Sequence, residues 1–450
     1  MKPLTFYVIT DLHYFKNSLG AYGEEYERKM DFEQKCFAET QAINEAVFDW
    51  LAKAQDADTV LIAGDLTYWG EKESNLAVSR LLHDFKEKTG KRVCLVTAGH
   101  DFDRAAYSYD NAGRHPIEGT SFSELYDLYK EFGYSDAIAF NREHLSYIAQ
   151  LSEDVRLLVI CNDVDGHRNT PYDDAFFAWI EAQAKQAQAD GQMMIAMEHY
   201  PVLAGQPILA LIGDARETQA QRLIDTLADN GVHLIFTGHM HNQSINVVET
   251  AQGNKFYDVC TGAIVAAPAF MRRVTIKDEK TVQIESIPVP EFDWDKHGLS
   301  GEAYLKKQFD RMLLTFFDAM RSDPRRFMDK VSLKPTPALE KLIPFLGKRL
   351  SKMKMGTLAH LLCTRADPQV KDMLFTEFAV DMVRSIFEGN QPYVEGTPGG
   401  DTLLRIFGRL RPLIKTVKGA QGETLDFYET MKHTVGNYGI DDYNAELILF

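Results

Sequence analysis

The chain has 450 residues, 45% hydrophobic and 25% charged, which excludes a disordered chain and leaves room for one large globular unit plus a second. Its formal charge of −16 is uneven: residues 1–300 carry 27 Lys+Arg against 46 Asp+Glu (−19), and residues 301–450 carry 22 against 19 (+3). An acidic body repels polyanions, so a nucleic-acid partner is disfavoured.

The opening "MKPLTFYVITDLHYF" reaches Asp11 too soon for a signal peptide and reads as a first strand. No apolar run approaches the roughly 18 residues of a membrane span. Apolar, β-branched runs then recur at "DTVLIAG", "RVCLVTAG", "VRLLVICN", "QMMIAMEH", "VHLIFTGH" and "KFYDVCTGAIV". Helical patterns lie between most of them: "FEQKCFAETQAINEAVFDWLAKA", "NLAVSRLLHDFKEKT", "DDAFFAWIEAQAKQAQ" and "ETQAQRLIDTLADN". This alternation predicts an α/β layered fold with covered sheet faces. "RRVTIKDEKTVQIESIPV" alternates around a turn as an antiparallel hairpin does.

Beyond "PVPEFDWDKHGLSG" the strand signal fades, and helical periodicity with Pro and Gly breaks runs to the end. Two units are therefore expected, 1–300 α/β and 301–450 helical. Two insertions at strand ends, Tyr14 to about Phe32 and Arg104 to Gln150, are candidate substrate-binding elements or plain surface loops. Five cysteines (Cys36, Cys94, Cys161, Cys260, Cys363) lie apart without CxxC spacing. Free thiols and a cytoplasmic location are expected from that pattern.

The chemistry lies at the strand ends. Asp11 and His13 follow the first strand, Asp65 the second, and His100 and Asp101 the third; His199 ends a later strand, and His239 and His241 the next. In open α/β sheets ligands bind at the carboxyl ends of strands. Taken singly, each residue has an ordinary structural role open to it, as a turn, a cap or a core histidine. Together they form a set of N and O donors without thiolate, suited to divalent Mn, Fe, Zn or Co.

The ordered set Asp11-x-His13, Gly64-Asp65, a Gly-His-Asp turn, His199 and Gly238-His239-x-His241 resembles the calcineurin-like metallophosphoesterase superfamily over residues 1–290. Its spacing looks most like that of class III cyclic-nucleotide phosphodiesterases and related bacterial phosphodiesterases. The resemblance implies a four-layer α/β/β/α sandwich holding two divalent metal ions. It places the first metal on Asp11, His13, Asp65 and His241 and the second on Asp65, His199 and His239, with Asp65 as the bridge. It further implies that a bridging hydroxide attacks phosphorus in line. His100 would then stabilise the phosphate or protonate the leaving oxygen, oriented by Asp101.

One position departs from the family pattern. Where an Asn ligand to the second metal is usual, this chain has Gly99, which has no side chain to donate. A weakened second site is expected, with Asp103 or Asn242 as candidates to fill the gap.

The segment "GDLTYWG" lacks the Asp and Arg usual in protein phosphatases of this superfamily. That points to a small-molecule phosphodiester, including nucleotides, with Tyr68 and Trp69 as an aromatic surface or as packing under a loop. A phosphomonoesterase or protein phosphatase, and a non-catalytic scaffold with a degenerate site, are the alternatives. Basic runs in the tail, such as "KLIPFLGKRLSKMKMGTLAHLLCTR", read first as solvated helix faces, with a surface for a polyanion or an anionic membrane as the alternative. The oligomeric state is left open.

Overall fold

The computed structural model describes residues 1–450 except 165–166, 212–214, 331–334, 420–421 and 436–439. The apolar runs Leu4–Ile9, Thr59–Ala63 and Arg92–Val96 pair in parallel, in register Tyr7↔Val60 and Thr59↔Arg92. The hairpin Phe270–Ile276 and Thr281–Pro288 joins them antiparallel through Leu4↔Ile276. These strands, with Ala445–Ile448 at the hairpin edge, make a six-stranded sheet.

A second sheet of seven strands runs in the order 244–249, 255–260, 234–237, 193–197, 155–159, 146–150, 139–141. Its central strands alternate by face, as period-2 side chains must. Leu157, Val159, Ile195, Met197 and Phe236 turn inward to the core shared with the first sheet. Leu158, Met194, Ala196 and Ile235 turn outward, under helices Asp174–Ala189 and Ala220–Ala228. Phe6 and Phe236 meet edge to face across the two sheets, 5.7 Å between centroids.

Helices Thr40–Lys53 and Lys72–Thr89 cover the outer face of the first sheet with Ile43, Val47, Leu51, Val78, Leu82 and Phe85. The spacing of those residues, i, i+4, i+8 in the first helix and i, i+4, i+7 in the second, makes one apolar stripe per helix. Gly90, left-handed at φ +70, ends the second helix. The result is the expected four-layer α/β/β/α sandwich.

The insertions are not plain loops. Residues 139–150 supply the last two strands at one edge of the second sheet. Phe15, Tyr26, Phe37, Tyr68 and Tyr109 lock the first insertion, the 107–116 hairpin and the turn after Asp65 into one aromatic cluster. The predicted helix from Phe32 begins only at Thr40, where the apolar stripe meets the sheet.

The C-terminal region is helical, from Gly301–Ser322 to Phe427–Thr434. Leu305, Phe309 and Leu313, four residues apart, bury one face of its first helix against the sandwich core. The chain then returns as strand Ala445–Ile448, paired Thr281↔Ile448. A four-residue strand carries too little alternation to register in the sequence. Fully buried Arg272 fastens that return, donating to the carbonyls of Asp442 (2.5 Å) and Cys260 (2.9 Å). All five cysteines are free, and among the described residues no helix is long and apolar enough to cross a membrane.

Candidate metal centre

The carboxyl ends of strands from both sheets open onto one cluster. Asp11, His13 and His241 form one triad of donor atoms, Asp65, His199 and His239 a second, and His13, Asp65 and His100 a third that joins them. Within each, the atoms lie no more than 4.8 Å from one another. Residues more than two hundred positions apart are thus brought together, as the sequence reading requires.

Asp65 Oδ2 sits at the centre, 3.2 Å from His199 Nε2, 3.7 Å from His13 Nε2 and 3.9 Å from His100 Nε2. On the other side, Asp11 Oδ1 lies 3.4 Å from His13 Nε2 and 3.3 Å from His241 Nε2. His13 Nε2 and His241 Nε2 are 3.0 Å apart. Two imidazole nitrogens that close need either a shared proton or a shared cation between them. Asp11 Oδ1 and His199 Nε2 are buried with no hydrogen-bond partner among the described residues, which fits donors aimed at an ion.

The backbone is bent to serve this cluster. Asp11, His13, Asp65, His239 and His241 all adopt left-handed φ, between +38 and +65. They are five of the eleven described non-glycine residues in that region, and such strain gathers at functional sites. Two glycines permit the close approach. A Cβ on Gly64 would lie 2.6 Å from His199 Nδ1, and one on Gly238 would lie 2.0 Å from Thr10 Oγ1.

Charge states follow from burial and neighbours. Burial, then Lys35, pushes His13 down to about 4; burial, then the charge of His199, pushes His239 down to about 3. Burial also takes His100 well below the ordinary histidine value. These shifts favour the neutral imidazole at pH 7, the form that ligates a metal. Burial opposes charge on His199 too, yet Asp65 outweighs it and raises that residue to about 10. Burial works against both carboxylates, but the histidines around Asp65 and Asp11 hold them well below the usual range. Without a metal, a proton on His199 offsets the Asp65 charge. His199 Nδ1–H donates to the Ala63 carbonyl at 2.8 Å, which fixes the tautomer and turns Nε2 to the cluster.

The donor set is that of a dinuclear metallohydrolase, and the sequence decides its lineage. The profile of the family described as calcineurin-like phosphoesterase matches residues 4–243, more than half of the chain. The chain belongs to the calcineurin-like phosphoesterase family. No curated protein sequence matches this family member. Among solved structures it is similar to a dimetal phosphatase from Danio rerio, at 12% identity and TM-score 0.44, over 63% of this chain and 96% of that one. It is also similar to a purple acid phosphatase from yellow lupin seeds, at 16% identity and TM-score 0.41, over 64% and 52%. A third is an NAD nucleotidase from Haemophilus influenzae, at 15% and 0.37, over 79% and 62%. This calcineurin-like fold and its two triads support metal-dependent phosphoester hydrolysis.

Several expectations look different in three dimensions. His100 Nδ1–H donates to the Tyr68 carbonyl at 2.6 Å, and the Asp101 carboxylate accepts instead from Thr67 N (2.9 Å) and Ala98 N (2.8 Å). Asp101 therefore holds the turn that carries His100. Burial first, then the Asp65 charge, raises Asp101 to about 8.

Tyr68 stacks on Phe37 at 3.8 Å in the core, so it is packing under a loop. Trp69 stays half-buried against His100, 4.5 Å between rings. The two proposed substitutes for the missing Asn have partners of their own: Asp103 accepts from Phe122 N at 3.3 Å, and Asn242 Oδ1 accepts from Cys260 Sγ at 3.1 Å.

A residue that the sequence reading passed over fills the space. A Cβ on Gly99 would lie 2.4 Å from Arg168 Nε. Arg168 follows strand Val155–Val159 at the same sheet end, so the strand-end rule that found the histidines also points to it. Arg104, from the second insertion, donates through Nε to the Gly99 carbonyl at 2.6 Å. Its neighbours Arg114 and His115 belong to the outlying hairpin, stacked on Tyr107 and paired with Asp110.

Proposed function

We propose that this chain hydrolyses small-molecule phosphoesters with two divalent cations. In this reading Asp11, His13, Asp65 and His241 hold one ion and Asp65, His199 and His239 the other. The observation that carries it is Asp65 Oδ2, fully enclosed and within 4 Å of three imidazoles from three different segments. When bound, such a pair of ions acidifies a water between them and offsets charge on the phosphoryl oxygens.

The chain's own residues do the rest. His100 keeps its Nδ1 proton on the Tyr68 carbonyl and presents Nε2 to the cluster, so it can take a proton and pass it to the leaving oxygen. Asp101 is a positioning residue that braces the turn. Neutral His13 and His239 supply lone pairs without releasing protons at pH 7.

Two substrate classes divide on charge. Phosphodiesters, including cyclic nucleotides, are supported by the absence of the protein-phosphatase Asp and Arg in "GDLTYWG" and by Trp69 at the rim. Phosphomonoesters are favoured by the two guanidiniums that meet beside Gly99. Manganese or iron as the ions, a cytoplasmic location and a division into units 1–300 and 301–450 belong to the same proposal.

The test is hydrolysis of p-nitrophenyl phosphate, bis(p-nitrophenyl) phosphate and 2′,3′- and 3′,5′-cyclic nucleotides with added Mn²⁺. Activity lost in Asp65→Ala is expected. A chain inert under Mn²⁺, Fe²⁺, Zn²⁺ and Co²⁺ would instead favour the non-catalytic scaffold.

A further inference from the structure

The position left without a ligand at Gly99 is occupied from another element. Arg168 lies across Gly99, so close that any side chain there would collide with its Nε, Cγ and Cδ. Its loop is anchored: Asn169 N donates to Asp163 Oδ1 at 2.6 Å, and Thr218 N and Oγ1 donate to Asn169 Oδ1 at 2.9 and 2.6 Å. Burial works against its charge, while Tyr200, Asp65 and Asp163 favour it, and Tyr200 also shares a hydrogen bond with it.

Arg104 approaches from the opposite flank. It stacks over Trp69 at 5.0 Å and binds the Gly99 carbonyl. Burial, then the charge of Arg168, holds it below the ordinary arginine value. Two like charges side by side are costly unless something anionic lies between them. Arg104 Nη2 and Arg168 Nε are both buried without a hydrogen-bond partner among the described residues. These two unpaired donors, one on each planar guanidinium, at the rim of a cluster holding His100 and Asp65, suit the oxygens of a phosphoryl group.

We propose that Arg168 and Arg104 form a clamp for the non-bridging oxygens of a terminal phosphoryl group, built in the space that Gly99 leaves open. The clamp replaces a neutral metal ligand with positive charge aimed at substrate. It selects dianionic phosphomonoesters over monoanionic phosphodiesters, because only the former presents three terminal oxygens and two charges. The inference rests on the phosphoester reading of the site.

The experiment uses the full chain loaded with Mn²⁺. Inorganic phosphate affinity is measured by calorimetry, and kcat/KM with p-nitrophenyl phosphate and bis(p-nitrophenyl) phosphate, for wild type, Arg168→Gln, Arg168→Lys and Arg104→Gln. Both Gln variants should bind phosphate about 10- to 100-fold more weakly, the scale of a lost hydrogen bond to a charged group. The monoester rate should fall by a similar factor, the diester rate less, with Mn²⁺ stoichiometry unchanged. Arg168→Lys should recover charge without the fork, and so only part of the affinity.

Unaltered phosphate affinity in both Gln variants, or equal losses on both esters, overturns the clamp. A wild-type chain that binds phosphate through these arginines but hydrolyses neither ester overturns the phosphoester reading and leaves the clamp standing.

Discussion

On one side of Asp65, the donors Asp11, His13 and His241 converge within 3.0–3.4 Å of one another. On the other, His199 and His239 share Asp65, and the Arg168 guanidinium lies close enough for its charge to act on His239. The first side is built wholly of groups that accept a cation. The second mixes such groups with Arg168 and Arg104, which repel one. If the proposed clamp holds, a single shared carboxylate serves a site for binding metal and a site for receiving an anion, with residue 99 setting the balance.

The largest effect is expected at the element both sides share. Asp65→Asn keeps the shape but removes the charge that three imidazoles and two cations would use. It should lower kcat/KM by about 10³-fold, the scale of losing a principal electrostatic stabiliser. Mn²⁺ uptake, followed by calorimetry, should fall on both sides together. If one side kept its affinity, Asp65 would belong to a single triad and the comparison between the sides would fail.

A second effect concerns the turn that carries Trp69 toward His100. Glu71, 1% exposed, accepts from Trp69 N at 3.1 Å. Burial raises its pKa from 4.5 to about 7. The folded chain therefore keeps this proton after the unfolded chain has released it. Stability falls as pH rises from about 4.5 to about 7 and is level above that, by roughly 3 kcal/mol. Glu71→Gln should remove that decline. Urea unfolding at pH 5 and pH 8 checks it, and an unchanged pH difference between variant and wild type would refute the assignment.

The legibility of the site divides along the same line. The histidines and aspartates of both triads were readable because each ends an apolar strand, and strand ends converge whatever the intervening loops do. The layers were readable for the same reason, from runs such as "DTVLIAG" and stripes such as Val78, Leu82 and Phe85. Arg168 was not singled out, because what gives it meaning is the space over Gly99, and that contact spans 69 positions of chain. The roles of Tyr68 and Asp101 depended on which way a turn faces, and burial against Phe37 and the backbone of Thr67 settles that only in three dimensions. Strand Ala445–Ile448 was hidden by its brevity, its place fixed by Arg272 and not by local pattern.

The smallest expected effect is the most direct measure of the asymmetry. Mn²⁺ titration of the wild type should resolve one tight and one weaker site, because residue 99 donates nothing and Arg168 adds positive charge nearby. Restoring the amide alone is not a clean test, since a Cβ at position 99 meets Arg168 Nε at 2.4 Å and the arginine must move. The informative comparison is Arg168→Ala against the double variant Gly99→Asn/Arg168→Ala. Removing the guanidinium should strengthen the weaker site modestly, by lifting a repulsion that solvent partly screens. Adding the amide should strengthen it again, about 10-fold, the low end of what a lost or gained partner does to metal affinity. The tight site should not change in either variant. Two sites of equal affinity in the wild type, or an equal response at both, would mean that the gap at Gly99 and the arginine over it do not belong to one ion more than the other.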